Sequence, residues 1–413
     1  MKKLLCLFLA LVAVFSLCAC GGGGGDGAEG DFGGGKGDEN TEPKIDTTAT
    51  EAEISKLEAA YTGLQVHHGQ LHDHANTGRK SDGKATLQEW TATMPEVGME
   101  YAAILDHRQT DHLYLDLWDP TLFITGSEAM THVGGRPEYC NKYHYNMILP
   151  GVEEFEAHLN QFPMHYRFID GLFDYYNMPE DVFLEVIESV LDKGGYFVIA
   201  HPFQTDPEQT GWDDPQTNAL DYYYRDFIGY EVIYAYNPNL ETQGKSTMNN
   251  YKLWTDLLAA DKRVYCSASS DRHSLPCNAG LSTIYSSEMM DDSYIEQLRQ
   301  GNYTAGPVGV KMTIGDTRMG GTGTFDDQRI VFSVGDFHKD YQDTNRTYRV
   351  DLISDTGVVF SQTVDPTTTT YFAFDADASA KFYRVEIHDE QQAVDYTLLA
   401  LSNPIWNSAK YAD

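Results

Sequence analysis

The chain has 413 residues, more than one ordinary core accommodates, so about two domains are expected together with segments that do not fold. Its 29 Lys and Arg stand against 62 Asp and Glu, a formal net charge of −33, with no basic run. That balance excludes an electrostatic nucleic-acid surface and attraction to an anionic membrane; it favours solubility and the collection of cations.

The chain opens MKKLLCLFLALVAVFSLCAC. Lys2 and Lys3 precede an apolar run from Leu4 to Leu17, which fits a secretory segment and is too short for a good membrane span. Residues 1–20 therefore read as a signal peptide. Their end resembles a bacterial lipobox, with Cys20 as the lipid-bearing residue of an extracytoplasmic, membrane-anchored lipoprotein at the cell surface or on the periplasmic side, the alternative being plain cleavage without lipid. Residues 21–50, Gly-rich and acidic, read as a flexible tether. Cys6, Cys18 and Cys20 belong to the signal. Cys140, Cys266 and Cys277 show no CxxC spacing, and Cys266 and Cys277 are either a disulfide or buried free thiols.

A helix is expected from Thr50 to Ala60, then short apolar runs alternate with amphipathic patterns. Leu87, Trp90, Met94 and Val97 recur at helical spacing. Val182 to Leu191 forms a second helical stripe, stopped at Gly194-Gly195, and Tyr196 to Ala200 follows as an apolar strand. Further strands are expected at Ala102 to Leu105, Leu122 to Thr125, Asn146 to Leu149, Tyr230 to Tyr234 and Val264 to Ser267, with a helix near Tyr251 to Ala260. This rhythm implies an α/β barrel or a doubly wound sheet over residues 51–300. From 301 to 413 the pattern changes to short alternating strands with turn residues between them, such as Tyr348, Val350 and Leu352, the Ser354 to Gly357 turn, and Tyr383, Val385 and Ile387. An all-β sandwich is expected there.

Chemistry-bearing residues gather where the strands end. His72 and His74 follow the first run, Asp106-His107 the second, Glu128 the third, His201 the Tyr196 strand, and Asp271 with His273 the Cys266 run. In parallel barrels the C-terminal strand ends converge on one face. Imidazole and carboxylate together suit Zn, Mn or Fe, and a carboxylate can bridge two ions. His72 and His74, two residues apart at a strand end, point to the same side and can chelate together.

The series Leu71-His72-Asp73-His74, Ser81-Asp82-Gly83, Leu105-Asp106-His107, Gly126-Ser127-Glu128, Tyr143-His144, Ile199-Ala200-His201-Pro202 and Ser270-Asp271-Arg272-His273 resembles the PHP (polymerase and histidinol phosphatase) superfamily over residues 66–300. The resemblance implies a distorted (β/α)7 barrel with two or three divalent ions. The segment Gly301 to Pro307 and the final Leu401-Ser402-Asn403-Pro404-Ile405 are similar to a secreted subgroup with a C-terminal β-sandwich. By resemblance, His72, His74, Glu128 and Asp271 hold one ion, Glu128 bridges to a second held by His144 and His201, and Asp82, His107 and His273 hold a third. The loop from His74 to Asp82 is about three residues longer than the family's usual form, which bears on Asp82. Leu105 stands where a Thr commonly precedes the Asp-His pair. Asp106 is expected to orient a ligand, and no side chain serves as catalytic nucleophile. His67 and His68 are expected outside the ligand set. His112, His132, His158 and His165 are expected at the surface or behind the ligands, and His338 and His388 without ligand partners. Arg108, Arg272 and Lys80 either meet an anionic substrate or are solvated or ion-paired.

A divalent ion lowers the pKa of its water from about 15.7 to near 7, so hydrolysis is the expected reaction. A phosphoester, in a small or oligomeric substrate, is the leading bond. The alternatives are a carbamate, ester or amide at the same metals, or an extracellular polymer-binding lipoprotein whose metal is structural and whose β-rich region presents Tyr348, Tyr371, Phe372, Phe374 and Tyr383, otherwise core residues.

Overall fold

The computed structural model describes residues 48–78, 81–136, 142–162, 167–169, 172–174, 177–203, 218–235, 240–391 and 396–411. The signal segment, Cys20 and the tether up to residue 47 lie outside the described residues, as do Lys80, Cys140 and His165. The first helix, α1 (Glu51–Ala60), begins at a capping box in which the Thr50 hydroxyl accepts from Glu53 N and the Glu53 carboxylate accepts from Thr50 N. Strand β1 (Gln65–Asp73) follows. The next helix, α2 (Leu87–Thr93), uses the same device with Thr86 and Glu89. It ends before Pro95, which has no N–H to continue the ladder, so Val97 lies beyond it while Leu87, Trp90 and Met94 are buried as their spacing requires.

The α/β region continues with β2 (Tyr101–Ile104), β3 (Phe123–Ile124), β4 (Gly126–Gly134), β5 (Lys142–Ile148), α3 (Val152–Gln161) and the short strands β6 (Arg167–Ile169), β7 (Leu172–Asp174) and β8 (Asn177–Pro179). Then come α4 (Glu180–Asp192), β9 (Tyr196–Ala200), β10 (Gly229–Tyr234), α5 (Leu240–Ala259), β11 (Tyr265–Ser269), β12 (Ser282–Ser286), α6 (Asp291–Arg299) and β13 (Tyr303–Ala305). Helix α4 buries Phe183, Val186, Ile187 and Val190, and the chain leaves it through Gly194 at φ +78, where a side chain would be strained. Strands β1, β2 and β3 run parallel. Strands β9, β10 and β11 also run parallel, but β5 lies antiparallel to both β9 and β4, so the expected βα alternation is interrupted there. Backbone bonds link the two sets: His74 N to Arg272 O at 2.8 Å on one side, and on the other Glu128 N to Leu105 O at 3.0 Å with Arg108 N to Glu128 O at 2.8 Å. The result is a mixed α/β architecture with a core that includes Tyr145, Phe183, Phe197 and Trp254.

The remaining strands are β14 (Gly309–Ile314), β15 (Thr317–Arg318), β16 (Thr322–Gly323), β17 (Arg329–Gly335), β18 (Tyr348–Ser354), β19 (Gly357–Val364), β20 (Thr370–Asp375), β21 (Phe382–Asp389), β22 (Leu398–Ser402) and β23 (Ile405–Asn407). Strands β15, β14, β17 and β20 form one sheet, in that order. Its inner face shares an apolar cluster with β18, β21 and β23 through Met312, Phe332, Val350, Leu352, Val385 and Ile405. Sheet pairing then runs without a break from β21 through β22, β13 and β12 to β1. Residues Thr47–Asp413 accordingly pack as one compact unit. Asn403, just past β22, accepts from Cys266 N at 2.8 Å and donates to the carbonyls of Gly301 and Tyr303. Cys266 is buried, Cys277 half-buried, and both are free thiols. Among the described residues no helix is long and apolar enough to cross a membrane.

Candidate metal centre

Strand β1 delivers His72 as its penultimate residue and His74 just beyond it, and their Nε2 atoms lie 3.2 Å apart. Two ring nitrogens that close face a common point. His107 comes from the turn after β2, His201 follows β9, and Asp271 and His273 follow β11. Glu128 differs from the strand-end expectation, since it sits inside β4; His144 sits inside β5, and both reach the same point from the flank. The cause is local, because the chain passes directly from β3 into β4 at Gly126, where a Cβ would lie 2.6 Å from both Leu105 Cδ2 and Met147 O.

Glu128 is the hub. It is fully buried, and its Oε2 lies 2.8 Å from His107 Nδ1, 3.2 Å from His72 Nε2 and 3.3 Å from His74 Nε2. Its Oε1 lies 2.7 Å from His144 Nδ1 and 3.3 Å from His201 Nε2. Asp271 Oδ1 approaches His74 Nε2 at 3.0 Å. The long loop after His74 does return Asp82 to the cluster, with Oδ2 3.1 Å from His273 Nε2 and 3.4 Å from His107 Nε2. The return is tight: a Cβ on Gly83 would meet the Ala75 backbone at 2.4 Å. All nine predicted ligands thus converge, in overlapping groups whose donor atoms lie within 4.8 Å of one another: His72, His74, Glu128, Asp271; Glu128, His144, His201; and His74, Asp82, His107, His273.

Burial works against charge here; opposite charges overcome it at Glu128, His72 and His107, whereas at His144 burial prevails and holds the imidazole below its ordinary value. The carboxyl of Glu128 would be raised by burial, but His107, His72 and His144 hold it well below the usual carboxylate range. Burial lowers His72, yet Glu231, Glu128 and Asp271 bring it well above its ordinary value; His107 is likewise carried to about 10 by Glu128 and Asp82. The residues fit divalent ions. Donors sharing one ion at about 2.0–2.2 Å are at most about 4.4 Å apart, close to the spacing found. Moreover His74 Nδ1 is buried without a hydrogen bond, which is costly unless another partner serves it. Backbone strain marks the same place: His201 and Asp271 adopt φ +27 and +47.

The supporting residues include one that the sequence reading passed over. Glu231, a buried carboxylate inside β10, accepts from His72 Nδ1 at 2.7 Å and Asn146 Nδ2 at 3.0 Å, and its other oxygen accepts from His201 N at 2.8 Å. It fixes which nitrogen His72 turns to the cluster. The signal was present, since an acid within the apolar run Tyr230 to Tyr234 must be paired when buried. Tyr234 donates to Asp271 Oδ2 at 2.8 Å, and His144 Nε2 lies 3.0 Å from Met130 Sδ. Asp106 accepts from Ala75 N at 2.9 Å and from the Thr77 hydroxyl, holding the turn beside His74. Arg108 follows His107 directly, and Arg272, between Asp271 and His273, donates to Leu275 O at 3.1 Å.

The remaining histidines divide. His112 and His158 are fully buried rather than at the surface: the first lies 2.9 Å from Gly126 O and the second 3.0 Å from Ser189 Oγ. His132 is half-buried. His67 pairs with Glu100, His68 with Thr283, His338 with Val97 O and His388 with Thr397.

No family model and no curated protein matches the chain. Solved structures do. A two-domain protein from Bacteroides vulgatus containing a predicted PHP-like metal-dependent phosphoesterase is 12% identical, over 83% of this chain and 96% of its own, with a TM-score of 0.38. The lesion-specific endonuclease of Pyrococcus furiosus is 14% identical, over 58% of this chain and 56% of its own, at 0.37. An endonuclease Q bound to a 27-mer duplex with an abasic lesion is 11% identical, over 57% and 56%, at 0.33. The chain thus spans a little over half the length of the two endonucleases.

Proposed function

We propose that the chain is a metal-dependent hydrolase of the PHP kind, acting on phosphoesters. The observation that carries this reading is Glu128, a fully buried carboxylate with five imidazoles around its two oxygens. His72, His74 and Asp271 would hold one ion against Glu128. His144 and His201 would hold a second on its other oxygen, and Asp82, His107 and His273 a third. Zn, Mn and Fe suit this donor set. When bound, such ions act as Lewis acids and lower the pKa of a coordinated water. The chain's own groups do the rest. Glu231 and Asp106 hold His72 and the His74 turn in place, and Arg108 and Arg272, each adjacent in sequence to a ligand, supply positive charge for an anionic phosphoryl group.

The finer architecture belongs to the same proposal. A seven-strand ring of β1, β2, β4, β5, β9, β10 and β11 is supported by the backbone bonds across its two seams, and a β-sandwich by the apolar cluster shared between the C-terminal sheets. Export and lipid attachment at Cys20 are supported by the apolar run that ends in Leu17-Cys18-Ala19-Cys20.

The test is metal content of purified residues 40–413 together with a screen of phosphomonoesters, phosphodiesters and carboxylic esters. Two or three ions per chain and phosphoester turnover are expected, with both falling in Glu128→Ala, turnover by at least about 100-fold. Protein that stays metal-free after reconstitution would remove the hydrolase reading, and turnover confined to carboxylic esters would remove the phosphoester.

A further inference from the structure

At the far end of β11 from the metal centre lies an open cavity of about 450 Å³. Its walls come from Phe227 and Tyr265, from Arg299 and Asn302 around the end of α6, and from the segment Arg318 to Thr322 of the C-terminal β region. Tyr265 starts β11 and Asp271 lies six residues on, roughly 20 Å at strand spacing, so the cavity and the centre are separate places.

The arginines single it out. In a chain with 62 acidic residues, arginines find carboxylates easily. Away from the metal centre, every other arginine with a described side chain has one, from Arg136 with Glu180 to Arg384 with Glu386. Among the described residues neither Arg299 nor Arg318 has a carboxylate within ion-pair distance. Arg318 donates only to neutral oxygens, Gln300 Oε1 at 3.2 Å and Ala60 O at 3.4 Å. The adjoining polar groups are under-used as well: Asn302 gives its Nδ2 to Gln297 Oε1 at 2.7 Å, while its buried Oδ1 and Thr322 Oγ1 have no hydrogen bond. Two guanidiniums on one cavity, with the rings of Phe227 and Tyr265 as apolar walls, are complementary to an anionic head on a compact apolar body.

We propose that this cavity is a second binding site, for a small organic anion headed by a phosphate or a carboxylate. The pocket is of ligand size, and its position between the α/β region and the Arg318 to Thr322 segment means that an occupant touches both. Gly320 shows how close they are: a Cβ there would come within 2.0 Å of Gln300 O. An occupant held by Arg299 from one side and Arg318 from the other would join the two regions.

The test uses the metal-loaded full chain without its signal and measures calorimetric binding of phenylphosphonate, which cannot be hydrolysed, beside benzoate and inorganic phosphate. Expected is one site per chain outside the metal centre, at least about 10-fold weaker in both Arg299→Gln and Arg318→Gln. Arg299 is exposed, so its variant folds even if that of Arg318 is impaired. Phenylphosphonate and benzoate binding alike identify the organic anion as the class. If inorganic phosphate matches both, the apolar walls contribute nothing and the organic part of the proposal falls. Binding that both variants retain but His201→Ala loses belongs to the metal centre and overturns the site, as does no binding at all. The outcome is independent of whether the centre hydrolyses phosphoesters.

Discussion

Glu231 is a buried acid inside β10 that touches the His72 ring and the backbone of His201. Glu231→Gln keeps the shape but offers His72 an amide in place of a carboxylate, so metal affinity is expected to fall about 10- to 100-fold with the fold unchanged; metal titration with circular dichroism checks this. His158 illustrates a different residue-level effect. Burial, with Lys193 nearby, pushes its imidazole down to about 3. Between pH 6.5 and about 3 the unfolded chain binds a proton there that the folded chain refuses, so stability falls on acidification across that window, by up to about 1.4 kcal/mol per pH unit. His158→Asn should remove that contribution, read as a shallower slope of unfolding free energy against pH between about 6 and 4.5.

At the level of elements, α5 is held to β21 by a buried polar group rather than by apolar contact alone. Arg384 donates to Glu386 Oε1 at 2.7 Å, Tyr251 of α5 donates to the same oxygen at 2.8 Å, and the Arg384 guanidinium lies 5.1 Å from the Trp254 ring. Burial raises the Glu386 carboxyl, but His388 and Arg384 bring it down to about 2. Arg384→Ala would leave that charge buried and uncompensated, and a loss of about 3–5 kcal/mol in urea unfolding is expected, whereas Arg384→Met with Glu386→Leu should recover most of it. The elements were legible in the sequence where local signals agreed with the fold. The α4 stripe and its Gly194 exit stand as their spacing requires, and so do β9, β10, β11 and the face of Tyr348, Val350 and Leu352. What the periodicity did not contain was direction. Nothing in Lys142 to Ile148 says that β5 runs antiparallel, because that depends on a partner strand fifty residues on, and so Glu128 and His144 were legible as ligands but not as residues of strand interiors.

For the whole molecule, the change of rhythm near Gly301 is real in the sequence, yet the chain does not come apart there. Strand β13 takes β22 as its neighbour, and β11, which leads to Asp271 and His273, has Cys266 N bonded to Asn403. A chain ending at Gly306 is therefore expected to lose cooperative thermal unfolding and, with it, stoichiometric metal; calorimetry on residues 47–306 decides this. Residue patterns could show the two regions but not the pairing between them, since β-strand partners far apart in sequence leave no local trace.

Asn403 also sets an order of events. During synthesis the strand that leads to Asp271 and His273 emerges well over one hundred residues before the Asn403 side chain that accepts from Cys266 N, so that bond forms late. On the proposed reading, metal is expected to load only after Asn403 has been made, and metal content of chains that stop before and after Asn403 tests this.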